Sequence, residues 1–170
     1  MTIDQNYRRL TLVTAALIYT LIVVGAVVRV TESGLGCPDW PLCHGGLVPP
    51  PEQTAVIEFA HRLVAGVAGL FIILTAFVAW RDYRRARWIV GPATLVIALV
   101  PVQYVLGAVV VATELQPLAV VIHLGTALFI FGGALVLAVA ARRPAAPERW
   151  PSRAATWLCS ASRLSGCSSC

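Results

Sequence analysis

The sequence predicts an all-α membrane protein: a four-transmembrane-helix bundle built from two repeated helix hairpins, with both termini cytoplasmic. Three observations point there. Of 170 residues, 58% are hydrophobic and only 12% charged, too apolar for a soluble domain of that length. Four apolar runs each reach the roughly 20 residues that a helix needs to cross a bilayer core. Eight arginines fall in the short segments that flank those runs on one side, and the opposite connecting loops hold none, as the positive-inside rule requires.

Met1 to Arg9 is polar, and a first helix is expected over about 10–30. The run is too long for a signal peptide and no small-x-small site follows it, so the helix reads as uncleaved. Thr31 to Gln53 is rich in Gly, Pro and acidic residues, lacks Lys and Arg, and holds Cys37 and Cys43. Pro49-Pro50-Pro51 keeps its end extended, with Thr54 as the expected N-cap of a second helix over 54–80. The basic turn Arg81 to Arg87 leads into a third helix over 88–112, where Pro101 is expected to introduce a kink. Thr113 to Gln116 makes a short turn, and Pro117 suits the first position of a fourth helix over 117–141. Residues 1–143 are thus expected to form a single four-helix transmembrane domain. The Pro, Ser, Arg and Cys composition of 144–170 predicts a disordered cytoplasmic tail, whose Cys167 and Cys170 form an accidental rather than a redox motif.

A net charge of +5 with no lysine does not indicate a nucleic-acid partner. Arg8, Arg9, Arg81, Arg84, Arg85, Arg87, Arg142 and Arg143 all lie on one side, and the charge records orientation in the lipid bilayer. The cysteine loop is then extracytoplasmic, and the expected location is a bacterial inner membrane, crossed several times.

The chain also repeats. Gly25-Ala26-Val27-Val28-Arg29-Val30-Thr31-Glu32 closes the first helix, and Gly107-Ala108-Val109-Val110-Val111-Ala112-Thr113-Glu114 closes the third. Each block precedes a helix with one histidine near its start, which implies a pseudo-twofold axis along the membrane normal.

Those histidines, His61 and His123, are ionisable groups inside apolar spans and so are functional candidates by default. Each lies about 9–10 Å below its helix start at 1.5 Å per residue. Two imidazoles at one level can ligate a haem iron axially. The alternative is a pair of interhelical hydrogen bonds. Small residues nearby, Ala65, Gly66, Gly69, Gly125 and Ala127, are expected to leave room for a flat cofactor.

Glu58 shares a helix face with His61. It reads either as a proton acceptor beside the haem or as an interfacial residue favoured by the helix dipole. Arg29 and Arg62, near the outer surface, read as haem propionate partners or as internal partners of Glu32 and Glu58. Gln103 reads first as a buried hydrogen-bonding residue and second as a pocket contact. Cys37 and Cys43, six positions apart in an oxidising compartment, read as a structural disulfide or a redox pair. His44 beside them gives only weak evidence for zinc.

Gly34-x-Gly36-Cys37, Trp40-Pro41-Leu42-Cys43-His44-Gly45, Glu58-Phe59-Ala60-His61-Arg62, Gln103-x-x-Leu106-Gly107-Ala108 and His123-Leu124-Gly125 together resemble the N-terminal half of the heme A synthases. The resemblance spans about Thr11 to Ala141. It implies oxidation of a ring methyl of heme O, through an alcohol, to the formyl group of heme A for terminal oxidase biogenesis. It implies that His61 and His123 ligate the substrate haem, that Glu58 is the catalytic carboxylate, and that Cys37 and Cys43 are the extracytoplasmic pair. As partners it implies a heme O-producing farnesyltransferase and an electron acceptor, a quinone or another. Most members carry a second four-helix half with its own b-type haem, which this chain lacks. A homo-oligomer that rebuilds the missing half and a truncated or frame-shifted product are the two accounts. Rival functions are a quinone-linked thiol oxidase using Cys37 and Cys43, and a non-catalytic haem-binding assembly factor.

Overall fold

The computed structural model describes residues 3–142. It contains four helices: α1 (Gln5–Val30), α2 (Gln53–Asp82), α3 (Arg87–Ala112) and α4 (Pro117–Ala141). Each has 25 or more residues and is long and apolar enough to cross a membrane. The apolar runs contain few helix breakers, and α3 continues unbroken through Pro92 and Pro101. α1 starts at Gln5 rather than near Leu10, because the polar first turns contain no Gly or Pro and Tyr7 packs on Tyr83 with ring centroids 4.8 Å apart. Glu52, not Thr54, flanks α2. The tail over 144–170 lies outside the described residues.

The helices form a ring. α1 packs on α2 and α4, and α3 packs on the same two, so α2 and α4 stand diagonally opposite. Sealed packing is confined to the half nearer the chain's N-terminus. There Tyr7, Ala79, Tyr83, Ile89, Leu137 and Ala141 make one core cluster. Ala15, Ile18, Ile72, Val96, Ile130 and Ala134 make a second. Thr14 and Thr75 link α1 to α2 through hydroxyls 2.8 Å apart.

Toward the loop end that packing stops. No residue of α1 beyond Ile18, of α2 between Glu58 and Ala68, of α3 beyond Val96, or of α4 between Ala119 and Ile130 is buried. The interior of this half is made of half-buried side chains, less fully packed than the two clusters nearer the N-terminus.

α1 and α3 end alike. Thr31 N–H donates to Val27 C=O at 3.0 Å and Thr113 N–H to Val109 C=O at 2.9 Å. Both threonine hydroxyls donate to the same carbonyls at 2.7 Å. Glu32 and Glu114 then turn left-handed, with φ of 54° and 51°, and Ser33 and Leu115 N–H return to Val28 and Val110 C=O. Both ends satisfy carbonyls that a helix terminus would otherwise leave unpaired.

Candidate functional site

His61 on α2 and His123 on α4 lie on the diagonally opposed helices, in the half nearer the cysteine loop. Each ring is seated on a glycine of the preceding helix. His61 Nε2 lies 3.2 Å from the position a Cβ would take on Gly25, and His123 Cε1 lies 3.6 Å from the same position on Gly107. These glycines are the first residues of the two matching blocks, a signal present in the sequence whose meaning needed the helix pairing. By contrast, Gly66, Gly69 and Gly125 border open space. Gly125 is about 200° around the helix from His123, so it does not share the face of that ring.

Among the described residues, neither imidazole makes a hydrogen bond through its ring, and His123 Nδ1 is buried without a partner. Interhelical hydrogen bonds therefore do not account for the two rings. The donor set fits a flat iron-bearing macrocycle: two imidazoles on diagonally opposed helices, free of ring hydrogen bonds among the described residues, each beside a glycine.

The loop after α1 covers this end. Cys37 and Cys43 form a disulfide, and both residues are fully buried with Ala55. Gly36 brings the loop backbone against the first turn of α2, where a Cβ would lie 2.6 Å from Ala55 N. Asp39 organises the following turn by accepting from the N–H of His44 and of Gly45. Those bonds, Gly45's foremost, hold its carboxyl below the ordinary carboxylate range.

Arg62 is the hub between loop and helix. Its guanidinium donates to the carbonyls of Asp39 at 2.8 Å, Cys37 at 2.9 Å and Leu42, and it pairs with Glu58 Oε1. Glu58 is 4% exposed, and its Oε2 accepts from Cys37 N–H at 2.8 Å. Both carboxylate oxygens are thus engaged. Arg62 takes the internal partner that its position one turn after Glu58 allows, whereas Arg29 is exposed and makes no ion pair among the described residues.

Trp40, which sequence reading did not single out as a site residue, spans the opening. Its ring lies 4.9 Å from the Arg62 guanidinium and 5.1 Å from the Tyr104 ring, and its Cη2 reaches the Gly107 seat at 3.9 Å. Gln103 Nε2 donates to the backbone carbonyl of His123 at 3.0 Å, so Gln103 is a half-buried hydrogen-bonding residue on the helix next to His123. His44 turns its Nε2 to Gly36 C=O at 3.0 Å. No three His, Cys, Asp or Glu side chains among the described residues gather as a metal site.

The chain matches the cytochrome oxidase assembly protein family, COX15-CtaA, over residues 8–56 and 51–166. It is 34% identical to the heme A synthase of Shouchella clausii, over 85% of this chain and 49% of that protein. It is 36% identical to the heme A synthase of Exiguobacterium sibiricum, over 78% and 46%. With that of Bacillus pumilus the figures are 31%, 78% and 44%. The chain spans about half the length of the curated relatives it matches. On a family match that covers most of its length, the chain belongs to the COX15-CtaA family.

Proposed function

We propose that this chain is the substrate-haem half of a heme A synthase, holding heme O between α2 and α4 while a ring methyl is oxidised to the formyl group of heme A. The observation that carries the reading is the pair His61 and His123, unbonded at their rings and seated on matching glycines in the one half of the bundle that lacks a sealed core. His61 and His123 would hold the bound haem through their imidazole nitrogens, leaving its ring methyl as the group to be oxidised. The matching helix ends at Glu32 and Glu114 support an internal duplication. The arginine distribution supports cytoplasmic termini and a loop end at the outer face of a bacterial membrane.

In this reading Arg62 and Glu58 hold the disulfide loop as a roof over the haem edge. Glu58 accepts a proton during methyl oxidation only as its pairing with Arg62 loosens. Exposed Arg29 is left as the propionate partner. Electrons pass to an acceptor such as a quinone.

The engagement of both Glu58 oxygens favours one second reading, a haem-binding assembly factor that does no oxidation. A thiol oxidase is disfavoured, because both loop sulfurs are fully buried and exchange requires access. The deciding experiment is expression in a strain lacking heme A, with the purified protein's spectrum recorded in parallel. The proposal expects heme A to appear and a low-spin bis-histidine spectrum that His61→Ala or His123→Ala abolishes. Haem bound with that spectrum but no heme A formed, and no effect of Glu58→Gln, establishes the assembly factor instead.

A further inference from the structure

Among the described residues, three polar atoms at the loop end are buried and make no hydrogen bond: Trp40 Nε1, Gln103 Oε1 and His123 Nδ1. A buried polar group left unpaired costs about 1–3 kcal/mol, so each calls for a partner. Trp40 Nε1 can only donate. The other two are complementary, since an amide oxygen accepts and an imidazole nitrogen carries the proton when its counterpart serves as a metal ligand. They also belong to residues already joined, through Gln103 Nε2 and the His123 carbonyl. That bond already places the Gln103 amide beside the His123 backbone.

The other imidazole has no equivalent. Gln103 lies one turn before the seat Gly107, and the residue one turn before the seat Gly25 is Leu21, which offers no acceptor. Glu58, one turn from His61, is committed to Arg62 and Cys37.

We propose that Gln103 is a positioning residue for His123: Oε1 takes the Nδ1–H, fixes Nε2 as the iron ligand and makes His123 the anchored imidazole, while His61 is the exchangeable one. The inference rests on the haem reading above. Its consequence is an unequal pair in which the iron can open a coordination position on the α2 side without leaving the bundle. Acceptors of this kind on metal-bound histidines typically change metal affinity by about 10–100-fold.

The test is titration of the full chain in detergent with hemin. Hemin is added to His61→Ala and to His123→Ala, each with and without Gln103→Leu, leucine being what α1 carries at the corresponding place. His61→Ala is expected to keep hemin at least about 10-fold more tightly than His123→Ala, and Gln103→Leu to weaken binding about 10–100-fold in the first background and not in the second. Equal weakening in both backgrounds means a structural role for Gln103 and overturns the proposal, as does no weakening in either. Should Gln103→Leu fail to fold, Leu21→Gln in the His123→Ala background decides. Binding tightened about 10-fold supports an acceptor effect, and unchanged binding overturns it. Failure of the unaltered chain to bind hemin at all overturns the haem reading, and this inference with it.

Discussion

His61 rests on Gly25, with its Nε2 3.2 Å from where a side chain would begin. That spacing is tighter than an ordinary van der Waals contact, so Gly25→Ala obliges the imidazole to move by a few tenths of an ångström. Gly107 is less demanding, because its nearest neighbours, His123 Cε1 and Trp40 Cη2, stand at 3.6 and 3.9 Å. Both substitutions gain up to about 1 kcal/mol of helix propensity, so loss of the helix does not explain a difference between them. Gly25→Ala is expected to shift the spectrum of bound hemin while Gly107→Ala leaves it unchanged, and Gly25→Val to abolish the low-spin form. Equal spectra for all three chains would show that the glycine seat is irrelevant to His61.

Gly36 is a second glycine that no other residue replaces. A Cβ there runs into Thr54 and Ala55 backbone, and backbone at the start of a helix cannot turn aside as a long side chain can. Gly36→Ala therefore lifts the loop from α2, with an expected destabilisation of about 1–3 kcal/mol. Gly45→Ala is the informative companion. Its Cβ would meet nothing, and only its φ of 72° opposes the change, so it is expected to cost about 1–2 kcal/mol and leave the disulfide closed. Thiol labelling of the two variants distinguishes them: Gly36→Ala exposes Cys37 and Cys43 to reductant, Gly45→Ala does not.

What the sequence makes legible here is what depends on one segment at a time. Runs of apolar residues flanked by Arg mark all four helices, and the matching positions of His61 and His123 within them mark a common level. Cys37 and Cys43 are close enough along the chain to announce a bridge. What it hides depends on which segments meet. Gly25 and Gly107 become seats only because α1 pairs with α2 and α3 with α4. Arg62 has Glu58 within one helical turn, yet most of its hydrogen bonds go to loop carbonyls that carry no side-chain signature. Gly66, Gly69 and Gly125 border open space as small residues should, but small size alone does not say on which side of the helix that space lies.

Arg62 and Glu58 are 10% and 6% exposed at their side chains. Removing one member of a buried pair leaves the other charge uncompensated, at a cost of about 3–5 kcal/mol. Arg62→Ala also frees the carbonyls of Cys37, Asp39 and Leu42. The loop opening that exposes the disulfide becomes easier by that free energy, and each 1.4 kcal/mol is a factor of ten. Reduction by dithiothreitol is expected to be slow in the unaltered chain and roughly 100-fold or more faster in Arg62→Ala. A rate that the substitution leaves unchanged would mean that the sulfurs are reached without opening this clamp.

Asp39 sets the acid limit of the same loop. Its carboxylate accepts from Gly45 N–H at 2.7 Å and His44 N–H at 2.6 Å, and these bonds hold its pKa below the ordinary 3.8. A group whose pKa is depressed by folding stabilises the fold at pH values above its unfolded pKa, and the stabilisation is lost as pH falls through the folded value. The contribution of Asp39 to the turn at His44 and Gly45 is therefore expected to be lost only as pH falls below 3.8. Amide NMR of His44 and Gly45 measures this directly, with protection from exchange falling in that acid window. Asp39→Asn keeps an acceptor oxygen but has no charge to lose, so its amides are expected to start less protected at neutral pH and to show no acid step. An acid step that persists in Asp39→Asn would assign the transition to another group and remove Asp39 as the organiser of the turn.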